Sequence, residues 1–423
     1  MTWAWPERPR RVVVTGMGTV NALGQDVSTF WANLVAGRSG VATITRFDPS
    51  RLDSRMAAEI KDFDPSAVLD RKEMRRTDLY IQFALVSARQ ALEHAGLPGR
   101  LDEETAARTG VIIGSGLGGV STLFDNVLVM AERGPDRISP FFIPMGIANV
   151  GSGQVAIATG AIGPNFATVS ACATGGHALG ESWETIRRGD ADIMITGGVE
   201  AGIHEATLGG FASMKALSTR NDDPEAASRP FDVGRDGFVI GEGGGVLILE
   251  ALESAEARGA TPLAELVGYG ATADASHITL PAPGGVGAVG AARRALDKAG
   301  IDPSEVDHVN AHATSTAEGD KSELMAIRTI FGDHAPDVSI SASKSMLGHT
   351  LGAAGAIEGI ATILAIREGC VPPTINLDQP DEQGDGLDLT PNVATRREVR
   401  VAISNSFGFG GQNTALIFRR WDG

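Results

Sequence analysis

Ala88-Arg89-Gln90-Ala91-Leu92-Glu93-His94-Ala95-Gly96-Leu97 returns, with conservative changes, as Ala292-Arg293-Arg294-Ala295-Leu296-Asp297-Lys298-Ala299-Gly300-Ile301. Three further pairs follow in the same order. Val169-Ser170-Ala171-Cys172 is matched by Ile340-Ser341-Ala342-Ser343, Gly176-His177-Ala178-Leu179-Gly180 by Gly348-His349-Thr350-Leu351-Gly352, and Ile186-Arg187-Arg188-Gly189 by Ile366-Arg367-Glu368-Gly369. Shared composition accounts for one such echo but not for an ordered series, so the pattern predicts two halves of similar topology, 1–260 and 261–423. A duplicated chain offers a site where loops of both halves converge. In this pairing Cys172 faces Ser343, with Lys344 inserted beside it.

Outward from the echo, β-branched runs alternate with helical stretches. Val12–Thr15, Val111–Ile113, Phe166–Val169, Ile193–Thr196, Val246–Leu249, Val306–Val309, Val338–Ile340 and Val401–Ile403 are predicted strands. Arg71–Ala95, Gly180–Arg188, Val286–Lys298 and Ser322–Ile330 are predicted helices. The alternation predicts an α/β fold with buried sheets.

Bulk properties narrow the function. The 423 residues carry a net charge of −16, which disfavours a nucleic-acid binder. No run approaches the roughly 20 apolar residues of a membrane helix. Met1–Arg10 has no apolar core and does not read as a signal peptide. The two cysteines, Cys172 and Cys370, are too few for a disulfide framework and suit a reducing cytoplasm.

Cys172 sits where an apolar run gives way to Ala173-Thr174-Gly175-Gly176 and then a helix. Small neighbours allow a sharp turn, and the helix start directs N–H groups and a positive dipole end at the sulfur, predicting a nucleophile with a favoured thiolate. A buried structural cysteine is the plainer reading. His312 and His349 each follow a predicted strand. Singly each suits a structural role, but together with the cysteine they point to chemistry. As metal ligands they lack a close third partner, and neither C-x-x-C nor H-E-x-x-H occurs. Phe407-Gly408-Phe409-Gly410-Gly411 follows another strand and could supply an oxyanion donor while a ring closes the pocket; a plain turn is the alternative. Gly114-Ser115-Gly116-Leu117-Gly118-Gly119 fits the dinucleotide fingerprint formally. The acidic residue expected about 20 residues on falls in Arg133-Gly134-Pro135-Asp136-Arg137, which is no buried strand. Arg71, Lys72, Arg75 and Arg76, with Lys215 and Arg220, form basic spots that are either a docking patch for an acidic partner or a solvated face.

Together these segments, with Val12-Val13-Val14-Thr15-Gly16-Met17-Gly18, Leu217-Ser218-Thr219-Arg220-Asn221, Ser228-Arg229-Pro230-Phe231-Asp232 and Val371-Pro372-Pro373-Thr374-Ile375-Asn376, resemble the β-ketoacyl-acyl-carrier-protein synthases of the thiolase superfamily, closest to the elongating type II enzymes. The resemblance implies a five-layer α/β/α/β/α fold of two similar halves and usually a homodimer. It implies that Cys172 takes the acyl chain from an acyl carrier protein. His312 and His349, neutral with Nε2–H donors, would stabilise the enolate left by malonyl decarboxylation. Lys344, paired with Glu323, would orient His349. The N–H groups of Cys172 and Phe409 would hold the oxyanion, worth about 3–4 kcal/mol per donor. Phe409 would gate the site, and Leu117, Phe211, Thr314, Thr316, Phe407 and Glu323 would line it. The basic spots would dock the carrier protein, with no metal or redox cofactor. Ala313 departs from the family's usual glycine. Among rivals, a thiolase would need a second catalytic cysteine, and Cys370 has the wrong surroundings. An initiating synthase would have asparagine in place of one histidine, and a docking partner without activity would lack the nucleophile. A freestanding polyketide ketosynthase, with a like or paralogous partner subunit, shares every motif.

Overall fold

The computed structural model describes residues 9–423; most of the stretch read for a signal peptide, residues 1–8, lies outside the described residues. Ten strands form one sheet: β1 (Val12–Asn21), β2 (Thr109–Gly114), β3 (Asn165–Phe166), β4 (Ile193–Glu200), β5 (Gly243–Ala251), β6 (Ala264–Ala273), β7 (His308–Asn310), β8 (Ser339–Ser341), β9 (Val401–Gly408) and β10 (Gln412–Arg419). From the centre outward the order is β1-β5-β4-β2-β3 on one side and β6-β10-β9-β7-β8 on the other. Among the described residues the two sides pair only where Val13 and Val14 meet Glu265 and Ala264. Seven main helices complete the layers: α1 (Leu79–His94), α2 (Val120–Arg133), α3 (Val150–Thr159), α4 (Thr174–Arg188), α5 (Val286–Ala299), α6 (Ala317–Phe331) and α7 (Ala354–Glu368). Helix α1 covers β1 and β5, α5 covers β6 and β10, and α4 and α7 lie together between the half-sheets. This is the five-layer α/β/α/β/α fold of two similar halves.

The repeated segment does the same work twice. A side chain at Gly16 or Gly18 of β1 would collide with the carbonyl of Ala91 or Ser87 in α1. At Gly268 or Gly270 of β6 it would collide with the carbonyl of Ala295 or Ala291 in α5. Each outer helix therefore rests its backbone on a pair of strand glycines. The central helices repeat more closely still. Both have 15 residues, both follow a single 3-10 turn (Ala171–Ala173 and Leu351–Ala353), and both end at a left-handed glycine, Gly189 or Gly369. Each turn contains a left-handed non-glycine residue, Ala171 or Leu351, both at φ 49°. At the crossing, a Cβ on Gly175 would lie 2.8 Å from Ala356 N and one on Gly355 would lie 2.5 Å from Gly176 N.

This geometry corrects the sequence pairing of Cys172 with Ser343. The counterpart of Cys172 is Gly352, because the helical turn Lys344–Leu347 after β8 has no equivalent after β3. Two element predictions also change. Phe166–Val169 is strand only at Asn165–Phe166, on the sheet's edge. Arg71–Ala95 is two helices, Arg71–Met74 and α1. Asp70 forms a capping box with Glu73, and Asp78 accepts from Tyr80 N–H to start a new helix, so the chain has two competing start signals. The basic cluster thus lies on its own short helix and the turn after it. No helix among the described residues is long and apolar enough to cross a membrane.

Candidate active site

Three loops meet where the two halves face each other. The first carries Cys172. After β3 the chain folds back on itself: Thr168 Oγ1 donates to Thr174 O at 2.9 Å, and Ser170 N–H donates to Thr174 Oγ1 at 2.9 Å. These bonds hold Ala171 in its left-handed conformation and present Cys172 at the head of α4. Burial pushes the thiol up to about 11, against the opposing pull of the Phe409 N–H and the Lys344 charge. The sequence expectation of a favoured thiolate is corrected: in this dry setting desolvation outweighs the helix end.

The second and third loops bring the histidines. His312 follows β7, and its turn is pinned by Glu323 of α6, whose carboxylate accepts from His312 N–H at 2.9 Å and Ala313 N–H at 2.7 Å. His349 follows the Lys344–Leu347 turn, and its Nδ1 accepts from Leu351 N–H at 3.3 Å, which leaves the ring proton on Nε2. The imidazoles meet edge to face with centroids 5.4 Å apart. Burial, reinforced by the charge of Lys344, holds both well below the usual histidine range, so both are neutral at pH 7. The ion pair of Lys344 is with Glu358 of α7 and not with Glu323, as its short turn aims it beneath the site. Burial pushes Glu358 up to about 7 against the pull of Lys344.

Cys172 Sγ and one nitrogen of each histidine lie within 4.8 Å of one another. The expectation that the histidines lack a close third partner is therefore also corrected: that partner is Cys172, brought in by the fold. This spacing fits a thioester carbonyl that touches sulfur and imidazole together.

A cavity of about 470 Å³ opens over this group. Leu117, Phe211, Thr314, Thr316, Phe407, Phe409 and Glu323 all line it. Phe211 stands 6.4 Å from Phe409 and 5.2 Å from Phe238, ring to ring, and Phe407 packs 5.6 Å from His312. Thr314 and Thr316 share a 3.0 Å hydroxyl contact. Gly410 (φ 90°) and Gly411 (φ 73°) turn β9 into β10 and leave the Phe409 N–H aimed at the sulfur.

Of the basic residues, only Lys215 reaches the cavity wall. Arg220 is half-buried and donates to Gly234 O at 3.1 Å, whereas Arg71, Lys72, Arg75 and Arg76 stand exposed away from the cavity. Phe238, Met214, Glu200 and Glu358 were not found from sequence, since none belongs to a spaced motif. The loop Gly114–Gly119 gives a further finding. Its Gly116 and Leu117 N–H groups donate to the buried Glu200 carboxylate at 2.9 and 3.1 Å, so the donors a dinucleotide phosphate would need are already taken.

Residues 9–255 match the family description Beta-ketoacyl synthase, N-terminal domain, and residues 263–378 match its C-terminal domain. The chain is 50% identical over 411 residues to 3-oxoacyl-[acyl-carrier-protein] synthase 2 of Coxiella burnetii, covering 97% of this chain and 99% of that one. A β-ketoacyl synthase crystal structure from Burkholderia phymatum superposes with a TM-score of 0.90 at 36% identity, covering 97% and 100%. A ketosynthase solved with its type II polyketide acyl-carrier protein gives 0.89 at 36% identity, covering 98% and 100%. With fold, cysteine, paired histidines and full-length likeness in agreement, the chain belongs to the β-ketoacyl synthase family of acyltransferase-class condensing enzymes.

Proposed function

We propose that this chain elongates fatty acyl groups on acyl carrier protein by decarboxylative condensation, with Cys172 and the histidines in separate steps. The observation that carries the division of labour is a buried thiol within 4.8 Å of two neutral imidazoles. In the first step Cys172 sulfur attacks the acyl thioester. The new carbon–sulfur bond forms as the carrier's thiol leaves, and that thiol takes up the proton Cys172 gives up. The negative oxygen of the intermediate fits between the N–H groups of Cys172 and Phe409. In the second step the malonyl thioester carbonyl accepts from Nε2–H of His349 and from His312. Loss of carbon dioxide leaves an enolate that these donors stabilise, which asks for hydrogen-bond donors rather than a strong base. The enolate carbon attacks the acyl carbonyl on Cys172, the carbon–sulfur bond breaks, and a proton from solvent restores the thiol. The product is a β-ketoacyl carrier protein longer by two carbons.

Fatty-acid substrates are favoured by the 50% likeness to a 3-oxoacyl-[acyl-carrier-protein] synthase 2, against 36% to the polyketide ketosynthase. A panel of acyl-carrier-protein thioesters with malonyl-carrier protein tests this. Saturated medium and long chains should return two carbons longer, whereas turnover confined to polyenoyl or β-keto chains would reassign the enzyme to polyketide synthesis.

The partner subunit is a second copy of this chain. Leu128 of α2, Ile157, Ile162 and Val169 are 59 to 72% exposed, and β3 leaves an open sheet edge. Two such edges would continue the sheet and cover apolar side chains. Sedimentation should give twice the chain mass, and a monomer would refute this. The carrier protein docks through Arg71, Lys72, Arg75, Arg76, Lys215 and Arg220, and the unpaired cysteines suit a cytoplasmic setting.

A further inference from the structure

The two elbows present the same backbone donors to different oxygens. Strands β4 and β9 each have eight residues and stand third from the centre of their half-sheets, which makes Glu200 and Gly408, their last residues, counterparts. At Gly408 a side chain would be 3.3 Å from Cys172 N and 2.7 Å from Ser170 O; glycine leaves the elbow N–H open. At Glu200 a side chain is present, and it fills the same space in the other half. Its Oε2 accepts from Gly352 N–H, the counterpart of Cys172 N–H, and from Gly116 N–H, both at 2.9 Å. Its Oε1 accepts from Ser115 Oγ at 2.8 Å and from Leu117 N–H at 3.1 Å. All four partners are donors, so the group is held as a carboxylate, although burial works to raise its pKa. Both glycines of the cradle are required: a Cβ on Gly116 or Gly352 would lie 2.8 or 2.7 Å from the Glu200 oxygen.

We propose that Glu200 is a built-in anion occupying the second half's counterpart of the oxyanion hole, and that this fastening positions both Leu117 on the acyl cavity wall and His349. The link to His349 is short. Gly352, bonded to Glu200, follows left-handed Leu351, whose N–H is the donor that fixes the His349 ring. One carboxylate thereby couples the acyl pocket to the decarboxylating group, and Glu200 is a positioning residue. The inference rests on the roles given above to Cys172 and His349.

The test uses the full chain with Glu200→Gly, which opens a carboxylate-sized space on the cavity wall, and formate as the replacement anion. Elongation should fall about tenfold or more, and acyl loading on Cys172 should fall less. Formate should restore turnover in a saturable way, while chloride at equal ionic strength should not. Glu200→Gln keeps the shape but turns an NH2 group toward the donors, and should be slow and unresponsive to formate. A folded Glu200→Gly protein that is as active as wild type, or that ignores formate, overturns the proposal. If Glu200→Gly does not fold, full elongation by Glu200→Gln overturns it and a selective loss of elongation supports it. Wild-type protein that fails to elongate at all would refute the proposed function instead.

Discussion

The elbows at Ala171–Ala173 and Leu351–Ala353 share a backbone, a left-handed first residue and a 15-residue helix, yet only one bears a thiol. Two residues separate them. Cys172 stands where the other elbow has Gly352, and Gly408 leaves open what Glu200 closes. The two halves supply two turns of the same geometry. In the proposed mechanism one is kept for the transient oxyanion of the substrate, and the other is satisfied by the protein's own carboxylate. A reactive turn here is thus defined by what is left out in front of it as much as by its nucleophile.

The most direct way to break this contrast is to move the nucleophile. Cys172→Ala should abolish acyl loading and lower condensation by about 10⁴-fold or more. Adding Gly352→Cys to that protein should restore nothing, because the new Cβ would lie 2.7 Å from the Glu200 carboxylate. Intact-mass spectrometry of the acyl adduct decides both. The next largest effect belongs to Gly408→Ala. Its methyl would stand 3.3 Å from Cys172 N, and turnover should fall by about 10²–10³-fold, the scale of a lost oxyanion donor. Retained near-wild-type activity would show that the open space does not matter.

The pH dependence sharpens the contrast further. His312 and His349 have pKa values lowered by burial, so they stay neutral as pH falls through the ordinary histidine value of about 6.5. Decarboxylation should therefore show no acid limb at that pH. Cys172, raised to about 11, should instead give an alkylation rate that climbs from pH 7 through 9 without levelling. A plateau near neutrality would contradict the buried-thiol account. The smallest expected change is Ala313→Gly. Its N–H is held by Glu323 and its methyl lies buried on the cavity wall, so removing the methyl should raise turnover a few-fold on bulkier chains. Unchanged kinetics on every chain would dismiss the residue as a determinant.

Much of this arrangement was legible in sequence where a local pattern reports a local cause. The Ala88–Leu97 echo marked two helices resting on paired strand glycines, and strand-end positions picked out Cys172, His312 and His349. Other features were hidden for physical reasons. The register of the echo slipped between Cys172 and Gly352, because a four-residue turn at Lys344–Leu347 offset two look-alike glycine runs. Phe166–Val169 reads as a buried strand, but its apolar residues face outward at the sheet edge. Asp70 and Asp78 split a helix that periodicity alone joins. Glu200 and Glu358 carry no signature at all, since a carboxylate's role in a core is set by which distant N–H or Nζ the fold brings to it. The thiol's raised pKa likewise depends on burial from both halves.

The central claim, that one half carries the acyl chain while the other acts on malonate, is tested most directly by intact-mass spectrometry of His349→Ala mixed first with an acyl-carrier-protein thioester and then with malonyl-carrier protein. The account predicts a Cys172 acyl adduct that forms normally and persists after malonyl addition, with no chain longer by two carbons. Failure of the adduct to form, or its ready conversion to elongated product, would contradict that division.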